Sequence, residues 1–456
     1  MSIIHDPALY QLRHALRGHV YDPGEPEYED ARTLFNAMVE TRPRHVARVS
    51  HPHQVSAALA FARVRDMRVA VRGGGHSVAG ASLVEDGLVI DVRGLRELVV
   101  DPERRVVRVG GGLTWAEVDA ATQEHGLAAV GGRVSSTGVA GLTLGGGSGW
   151  LERKHGLACD NLLAVELVTA SGEPVRASAD EHPELFWALR GGGGNFGVVT
   201  ALELALHRVG PEVLGGLVLH PRSQARETLR RFRDLMRDAP EEVSLAYVFL
   251  TAPDEDGIPD DLRGQPAVAI AGMHAGATAD AEAALAPIRE SAALDAFEPT
   301  TYADFQSSLD DPPGYRNWWT AEYLKDLGDE AIDAIVAHAE GLPAGPAQIF
   351  IPAWGGAVAR GPEGPLTGRA ARFVVHPLLL WEHAADDARN IAHGRRWREI
   401  LAQYRTGATY LNFTGDEGAD RVRAAYGPHY ERLARVKAGW DPSNVFRATG
   451  NVRPTD

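Results

Sequence analysis

Between Gln54 and Asp66 the apolar residues Val55, Ala58, Leu59 and Ala62 recur at helical spacing, and the runs Val46-Ala47-Arg48-Val49 and Val69-Ala70-Val71-Arg72 flank that stretch. A period near 3.6 between two short extended runs predicts a β-α-β unit. Leu88 to Val92 and Arg105 to Val109 read as further strands. Thr114 followed by Trp115-Ala116-Glu117 is a capping box, so a helix opens there and runs to about Glu124, with Gly126 at its end. Leu162 to Thr169 is a strand closed by the Ser171-Gly172 turn, Pro183 to Leu189 a short helix, and Val198 to Leu206 a strand. Ahead of these, residues 5 to about 40 read as polar and helical, with a turn at Pro23-Gly24.

The texture changes near Pro211. Glycine clusters stop, charged helices appear, and the strand candidates Leu245 to Leu250 and Ala267 to Ala271 are expected to be separated by helices. An aromatic cluster, Tyr315-Arg316-Asn317-Trp318-Trp319, follows, and a Gly- and Pro-rich stretch from Gly355 to Gly368 reads as an exposed loop. Near Thr409 the pattern shifts again. Tyr410-Leu411-Asn412-Phe413 reads as a short strand, which puts Tyr410 and Asn412 on one face. A helix is expected from about Tyr430 to Lys437, then a turn at Asp441-Pro442-Ser443-Asn444. A chain of 456 residues is too long for one ordinary core, so two domains, one of them interrupted, are expected.

Composition narrows the function classes. A formal charge of -15 and a pI near 5.6 argue against nucleic acid or an anionic membrane surface as partner. The single cysteine, Cys159, excludes an internal disulfide framework and a thiolate metal cluster, and reads as a small buried residue. His51-Pro52-His53 lacks a partner arrangement for a metal, so no metal is expected and the pair reads as solvated ahead of a helix. No run of about 18 apolar residues occurs. The start, Met1-Ser2-Ile3-Ile4-His5-Asp6, has no basic segment followed by an apolar one, so a soluble, cytoplasmic protein is expected.

The candidate chemistry lies in the glycines. Strand Val69 to Arg72 breaks into Gly73-Gly74-Gly75, then His76-Ser77, offering bare amides beside a fixed charge on Arg72 and one nucleophilic imidazole. A pyrophosphate suits the amides; a plain glycine turn with a solvated histidine is the alternative, and four further Gly-rich stretches weigh against it. From Ser135 through Ser136, Thr137, Gly138 and Gly141 to Gly145-Gly146-Gly147-Ser148-Gly149, hydroxyls and glycines run without a charge. This is poor helix or strand but a good wrapping surface for a flat ligand with polar edges, the alternative being an ordinary buried loop.

Gly192-Gly193-Gly194-Asn195-Phe196-Gly197 satisfies G-x-G-x-x-G, yet a helix precedes it and a strand follows, the reverse of the dinucleotide fingerprint. No P-loop is present, and Ser77 and Ser148 are only near misses of G-x-S-x-G. Tyr410 can act as a base only if its pKa, ordinarily near 10, is lowered; a strand tyrosine is more often core or rim.

Together these motifs resemble the berberine-bridge-enzyme-like FAD-linked oxidases of the vanillyl-alcohol-oxidase/PCMH flavoprotein superfamily. The resemblance rests on Arg72 to Ser77, Gly138 to Gly149, Arg153-Lys154-His155-Gly156-Leu157 through Asp160-Asn161, and Arg190 to Val199. It continues in Tyr410-x-Asn412, Asp441-Pro442-x-Asn444-Val445-Phe446, and Asn451 before Pro454. It covers most of residues 41 to 210 and about 405 to 454 and is weak between them.

What it implies is an α+β chain. Residues 1–40 would be an N-terminal helical segment, 41–210 a PCMH-type FAD-binding domain, 211–404 an antiparallel-sheet substrate domain flanked by helices, and 405–456 a segment completing the FAD site. His76 matches the histidine that bonds the flavin 8α-methyl carbon. A second, cysteinyl link in relatives would fall at Gly132-Arg133-Val134, where this chain has Val134, so a single covalent bond is expected. The matching motifs assign cofactor contacts to Arg72 through Ser77, to Ser136, Thr137, Gly138, Gly141, Gly145, Gly146, Gly147, Gly149 and Trp150, and to Asp160 and Asn161. Gly194, Asn195, Phe196, Gly197, Val199 and Asn451 complete the set.

Tyr410, matching the tyrosine that faces the flavin, is implied as base, with Asn412 setting its environment. Thr137 stands where relatives often place a valine beside flavin C4a. The implied activity is oxidation of an alcohol or amine carbon in a sugar or specialised metabolite, with O2 giving H2O2. A dehydrogenase with another acceptor and a flavin binder without turnover are the alternatives. Relatives commonly show aromatic-x-His-Arg after a Gly-Gly-Ala turn. Here Gly355-Gly356-Ala357 is present but Phe373-Val374-Val375-His376-Pro377 is out of register. Trp318, Trp319, Trp354, His376 and Trp381 are candidate pocket residues, though core is the commoner role for such side chains.

Overall fold

The computed structural model describes residues 6–447 and 450–455. Met1–His5, where the reading of the N-terminus begins, lie outside them. Among the described residues a four-stranded sheet runs in the order Val20–Tyr21, His45–Arg48, Leu88–Asp91, Val69–Arg72. His45–Arg48 and Val69–Arg72 both pair parallel with Leu88–Asp91, and helix Pro52–Val64 makes the crossover between them. Pro52 opens that helix at a position where the missing N–H costs nothing. An antiparallel five-stranded sheet follows, ordered Leu98–Asp101, Val106–Gly110, Val198–Ala205, Leu162–Val168, Pro174–Ser178. The capping box of Thr114 and Glu117 forms, opening helix Trp115–Gln123.

The remainder is built on a large antiparallel sheet whose central strands are Val213–Pro221, Pro266–His274, Val243–Thr251, Gln348–Pro352 and Phe373–Trp381, with Arg316–Trp319 at one edge. Its two faces have different jobs. Phe373, Val375, Leu379 and Trp381 join Ile349 and Ile351 under Leu229, Phe232, Ile332, Ile335 and Trp397 of the covering helices. The alternate residues Leu378 and Leu380 face the other way and pack with Phe35, Val78 and Trp319. Period-two geometry therefore puts His376 on that second face, toward the glycine loops. The C-terminal segment returns to the first half: Tyr410, Tyr426, Leu433 and Val452 share a core with Phe186, Trp187 and Phe196.

Several local readings are corrected. Val243–Thr251 and Pro266–His274 are adjacent paired strands with no helix between them. The stretch Gly355 to Gly368 is not simply exposed, since Leu366 is buried against Gly146 and Gly191. Ser135 to Gly149 contains a short helix, Val139–Leu144, because Val139, Ala140, Thr143 and Leu144 find a core to enter. Tyr410–Phe413 is not a strand. With no partner edge beside it, it closes on itself as a 3-10 turn, Phe413 N–H to Tyr410 O and Thr414 N–H to Leu411 O.

Candidate active site

Gly73–Ser77 leaves the end of strand Val69–Arg72 and turns at Gly75, whose φ of +77° suits glycine. The loop lies directly on Gly138: a Cβ on Gly74 would sit 2.8 Å from the Gly138 Cα, and one on Gly138 would sit 2.9 Å from the Gly74 Cα. Only two glycines permit that approach. Among the described residues, the N–H groups of Gly74, Gly75, His76 and Ser77 have no acceptor. Successive free amides at a partly exposed loop are a nest for an anion such as the FAD pyrophosphate. Arg72 also anchors a neighbouring element. Its buried guanidinium donates to the carbonyls of Asp30 and Thr33, at 3.0 and 2.7 Å, and to that of Ala31, tying down the end of helix Pro26–Arg32. Burial lowers its pKa to about 10, so it stays charged at neutral pH; its Nε has no partner among the described residues, and Nε and Nη2 lie against Gly75 of the loop.

His76 stands at the edge of the loop. Its ring stacks on Phe35 with centroids 4.4 Å apart, and its Nε2 lies 2.9 Å from Ser136 Oγ. Burial lowers its pKa to about 4, so near neutral pH the imidazole keeps a lone pair free for bond formation. Across from it, helix Val139–Leu144 buries its apolar side while Ser136 and Gly141 remain open and Thr137 half-buried, and a Cβ on Gly141 would meet nothing within 4 Å. An open glycine face beside a hydroxyl-bearing edge fits a flat heterocycle.

Tyr410 and Asn412 meet at the far end. The wholly buried Tyr410 hydroxyl accepts hydrogen bonds from the N–H groups of Gly147 at 2.6 Å and Ser148 at 3.0 Å, and Asn412 Nδ2 lies 3.2 Å away. Asn412 also donates to Leu142 O at 2.9 Å, and its amide fills the space a Cβ on Gly145 would need. Burial pushes the Tyr410 phenol above its usual range, and Cys159 adds to this against the opposing pull of Asn412 and Gly147. In this setting Tyr410 holds the Gly146–Ser148 turn from behind.

An arc of rings connects the two ends. Phe35 meets Trp319 at 6.0 Å, Trp319 meets His376 at 5.4 Å, His376 stacks on Phe413 at 4.3 Å, and Phe413 meets Tyr410 at 4.8 Å. Phe350, the cross-strand neighbour of His376, lies beneath the Arg133 guanidinium. Of the five substrate-half candidates, Trp319 and His376 join this arc. Trp381 and Trp318 pack on the helical side, and Trp354 is buried against Tyr323 and Tyr410. Phe35, Phe350 and Phe413 carried no local signal that would have picked them out.

The remaining sequence candidates mostly support these walls. Trp150 is buried between Phe305 and Phe350, and Gly149 packs on Gly131 O. Asp160 pairs with Arg369, the nearer oxygen at 2.6 Å, and Asn161 ties the carbonyls of His155 and Leu157. Asn195 fastens the C-terminal tail through Gly450 O and Val452 N–H. Phe196 and Val199 are core, and Gly197 lies against the Val168 backbone. Gly194 is open, and the buried Asn451 Oδ1 has no partner among the described residues, so both are available to a cofactor.

A family model described as FAD binding domain matches residues 43–178, and one described as berberine and berberine like matches residues 409–453. The (R)-6-hydroxynicotine oxidase of Paenarthrobacter nicotinovorans is 29% identical, spanning 96% of this chain and 97% of that protein. The crystal structure of 6-hydroxy-D-nicotine oxidase from Arthrobacter nicotinovorans matches with a TM-score of 0.86 at 27% identity, covering 96% of this chain and 98% of that one. BBE-like 1 from Physcomitrella patens shares the fold with a TM-score of 0.87 at 23% identity, covering 98% and 99% of the two chains. The glycine loops, the α+β fold and the C-terminal segment agree with these matches, and the protein belongs to the berberine-bridge-enzyme-like FAD-linked oxidoreductases, with a PCMH-type cofactor domain.

Proposed function

We propose that this enzyme carries FAD on a single covalent bond from His76 and oxidises a carbon bearing a hydroxyl or amino group in a small organic molecule, with O2 as electron acceptor. The observation that carries the reading is His76 itself, a neutral imidazole oriented by Phe35 and Ser136 beside four unpartnered amides. When bound, FAD supplies the two-electron chemistry, and the protein supplies position and electrostatics. Gly74 through Ser77 would hold the pyrophosphate, Ser136, Thr137 and Gly141 one face of the ring system, and the aromatic arc the substrate side. Val134 supports a single link, since no thiol stands there. The 29% identity to an oxidase over nearly both full chains favours oxygen over another acceptor.

Acid denaturation followed by intact-mass measurement tests the linkage. A yellow pellet heavier by one FAD, with His76→Ala releasing all its flavin to the supernatant, is the expected outcome; an adduct that persists in His76→Ala overturns it. Mixing the substrate-reduced enzyme with air tests the acceptor. Rapid reoxidation with H2O2 release is expected, and slow reoxidation would make the enzyme a dehydrogenase.

A further inference from the structure

His376 is the one imidazole in the aromatic arc besides His76, and its surroundings fix what it can do. Its Nδ1 lies 2.9 Å from the carbonyl oxygen of Thr320, an acceptor only, so Nδ1 carries the proton and Nε2 the lone pair. Thr320 is held in turn by its own hydroxyl, which donates to Glu417 at 2.5 Å. Among the described residues Nε2 has no partner, and no neighbouring donor is bonded to it. The Trp319 indole N–H donates to Asn317 Oδ1 at 3.1 Å, and the terminal nitrogens of Arg133 serve Ser148 and Glu152 at 2.8 and 2.5 Å, its Nε being without a partner among the described residues. Phe413 covers one ring face, with planes 2° apart. Burial, with Arg133 adding to it, lowers the His376 pKa to about 3, so the ring is neutral across the physiological range.

We propose that His376 Nε2 is the hydrogen-bond acceptor that selects the substrate: the ligand presents an O–H or neutral N–H donor to it, with an apolar body against Trp319 and Phe350. This deepens the flavoenzyme reading and rests on it. A buried acceptor facing another acceptor loses its hydrogen bond without compensation, so ethers and carboxylates are disfavoured at that position relative to alcohols.

The test compares benzyl alcohol with benzyl methyl ether, two probes that differ in the donor. Binding to the oxidised wild-type enzyme is followed by flavin absorbance and, independently of the flavin, by thermal shift. The alcohol is expected to bind about tenfold or more tighter than the ether. His376→Leu should bring the ratio close to one while leaving the flavin content unchanged, and His376→Gln, which keeps an acceptor, should restore part of the preference. Equal binding of the two probes, failure of the alcohol to bind, or an unchanged preference in His376→Leu overturns the proposal. The intact mass of the same samples separates the two failures: a protein without flavin sinks the cofactor reading, whereas a flavinylated protein without donor preference sinks the role of His376 alone.

Discussion

Replacing Tyr410 with Phe removes one oxygen and keeps the ring, including its edge contacts with Trp354 at 5.6 Å and Phe413 at 4.8 Å. What is lost is the acceptor for the Gly147 and Ser148 amides. Each buried donor left unsatisfied costs about 1–3 kcal/mol, and removing a hydroxyl whose own proton has no acceptor among the described residues returns some of that, so a net loss of about 2–4 kcal/mol is expected. Asn412 keeps its bond to Leu142 O and is not released. In a chain of this length such a loss lowers the melting temperature by roughly 3 °C. Because Gly145–Ser148 forms part of the candidate flavin wall, the variant should also retain less cofactor. The assay is thermal unfolding of the variant and wild type with and without bound flavin, together with the rate of flavin reduction. An unchanged melting temperature with flavin reduction slowed a hundredfold would refute the supporting role and put the phenol in the reaction.

Two further predictions concern buried charges. Lys437 is fully buried, its Nζ bonded to Asn195 O, Asp441 Oδ2 and Phe446 O at 2.6, 2.6 and 2.7 Å. Lys437→Met leaves the Asp441 carboxylate uncompensated and should cost about 3–5 kcal/mol, with Lys437→Met/Asp441→Asn recovering part. Urea unfolding, and proteolysis of the segment after Trp440, measure it; equal stability of the single and double variants would contradict the pairing. Asp119 sits buried on helix Trp115–Gln123 with neither oxygen hydrogen-bonded among the described residues, and burial raises its pKa from 3.8 to about 8. The folded state therefore holds a proton that the unfolded chain releases above 3.8, so this group's contribution to stability is lost as pH rises from there toward 8, by at most about 6 kcal/mol. The stability of the wild type relative to Asp119→Asn should fall between pH 5 and pH 8, and a difference that stays constant across this window would show that water or a shifted side chain already satisfies the carboxyl.

How much of this the sequence could reveal depends on whether the determinant is local. The helix Pro52–Val64, the capping box at Thr114 and the glycine runs are set by neighbours a few residues apart, and all were legible. The anchoring role of Arg72 was not legible because its acceptors belong to a helix end some forty positions earlier, which no local pattern announces. The alternation in Tyr410-Leu411-Asn412-Phe413 imitates a strand, but a strand needs an edge to pair with, and here none is near. The face assignment of His376 was hidden for a different reason. All nine residues of Phe373–Trp381 are buried, helices covering one side and the flavin-binding half the other, so no polar alternation marks which residues face the glycine loops.

The two halves of the molecule are fastened together by the protein alone, and this bears on what the proposed covalent bond would be for. Arg153, on the flavin-binding side, donates to Val243 O and Trp354 O at 2.7 Å each and to Ala239 O at 3.1 Å. Asp310 accepts from the Ser135 amide at 2.6 Å, and Gln306 bonds the Gly132 carbonyl. These contacts set the sheet over the glycine loops, and the packing of Leu378 and Leu380 on Phe35 and Trp319 completes the enclosure. Walls already in register need little reordering when a ligand binds. The proposed histidyl bond would then not be required to build the site. It follows that His76→Ala should fold with the wild-type enclosure and still take up FAD, so that losing the covalent adduct in that variant reports on the bond itself and not on collapse of the pocket.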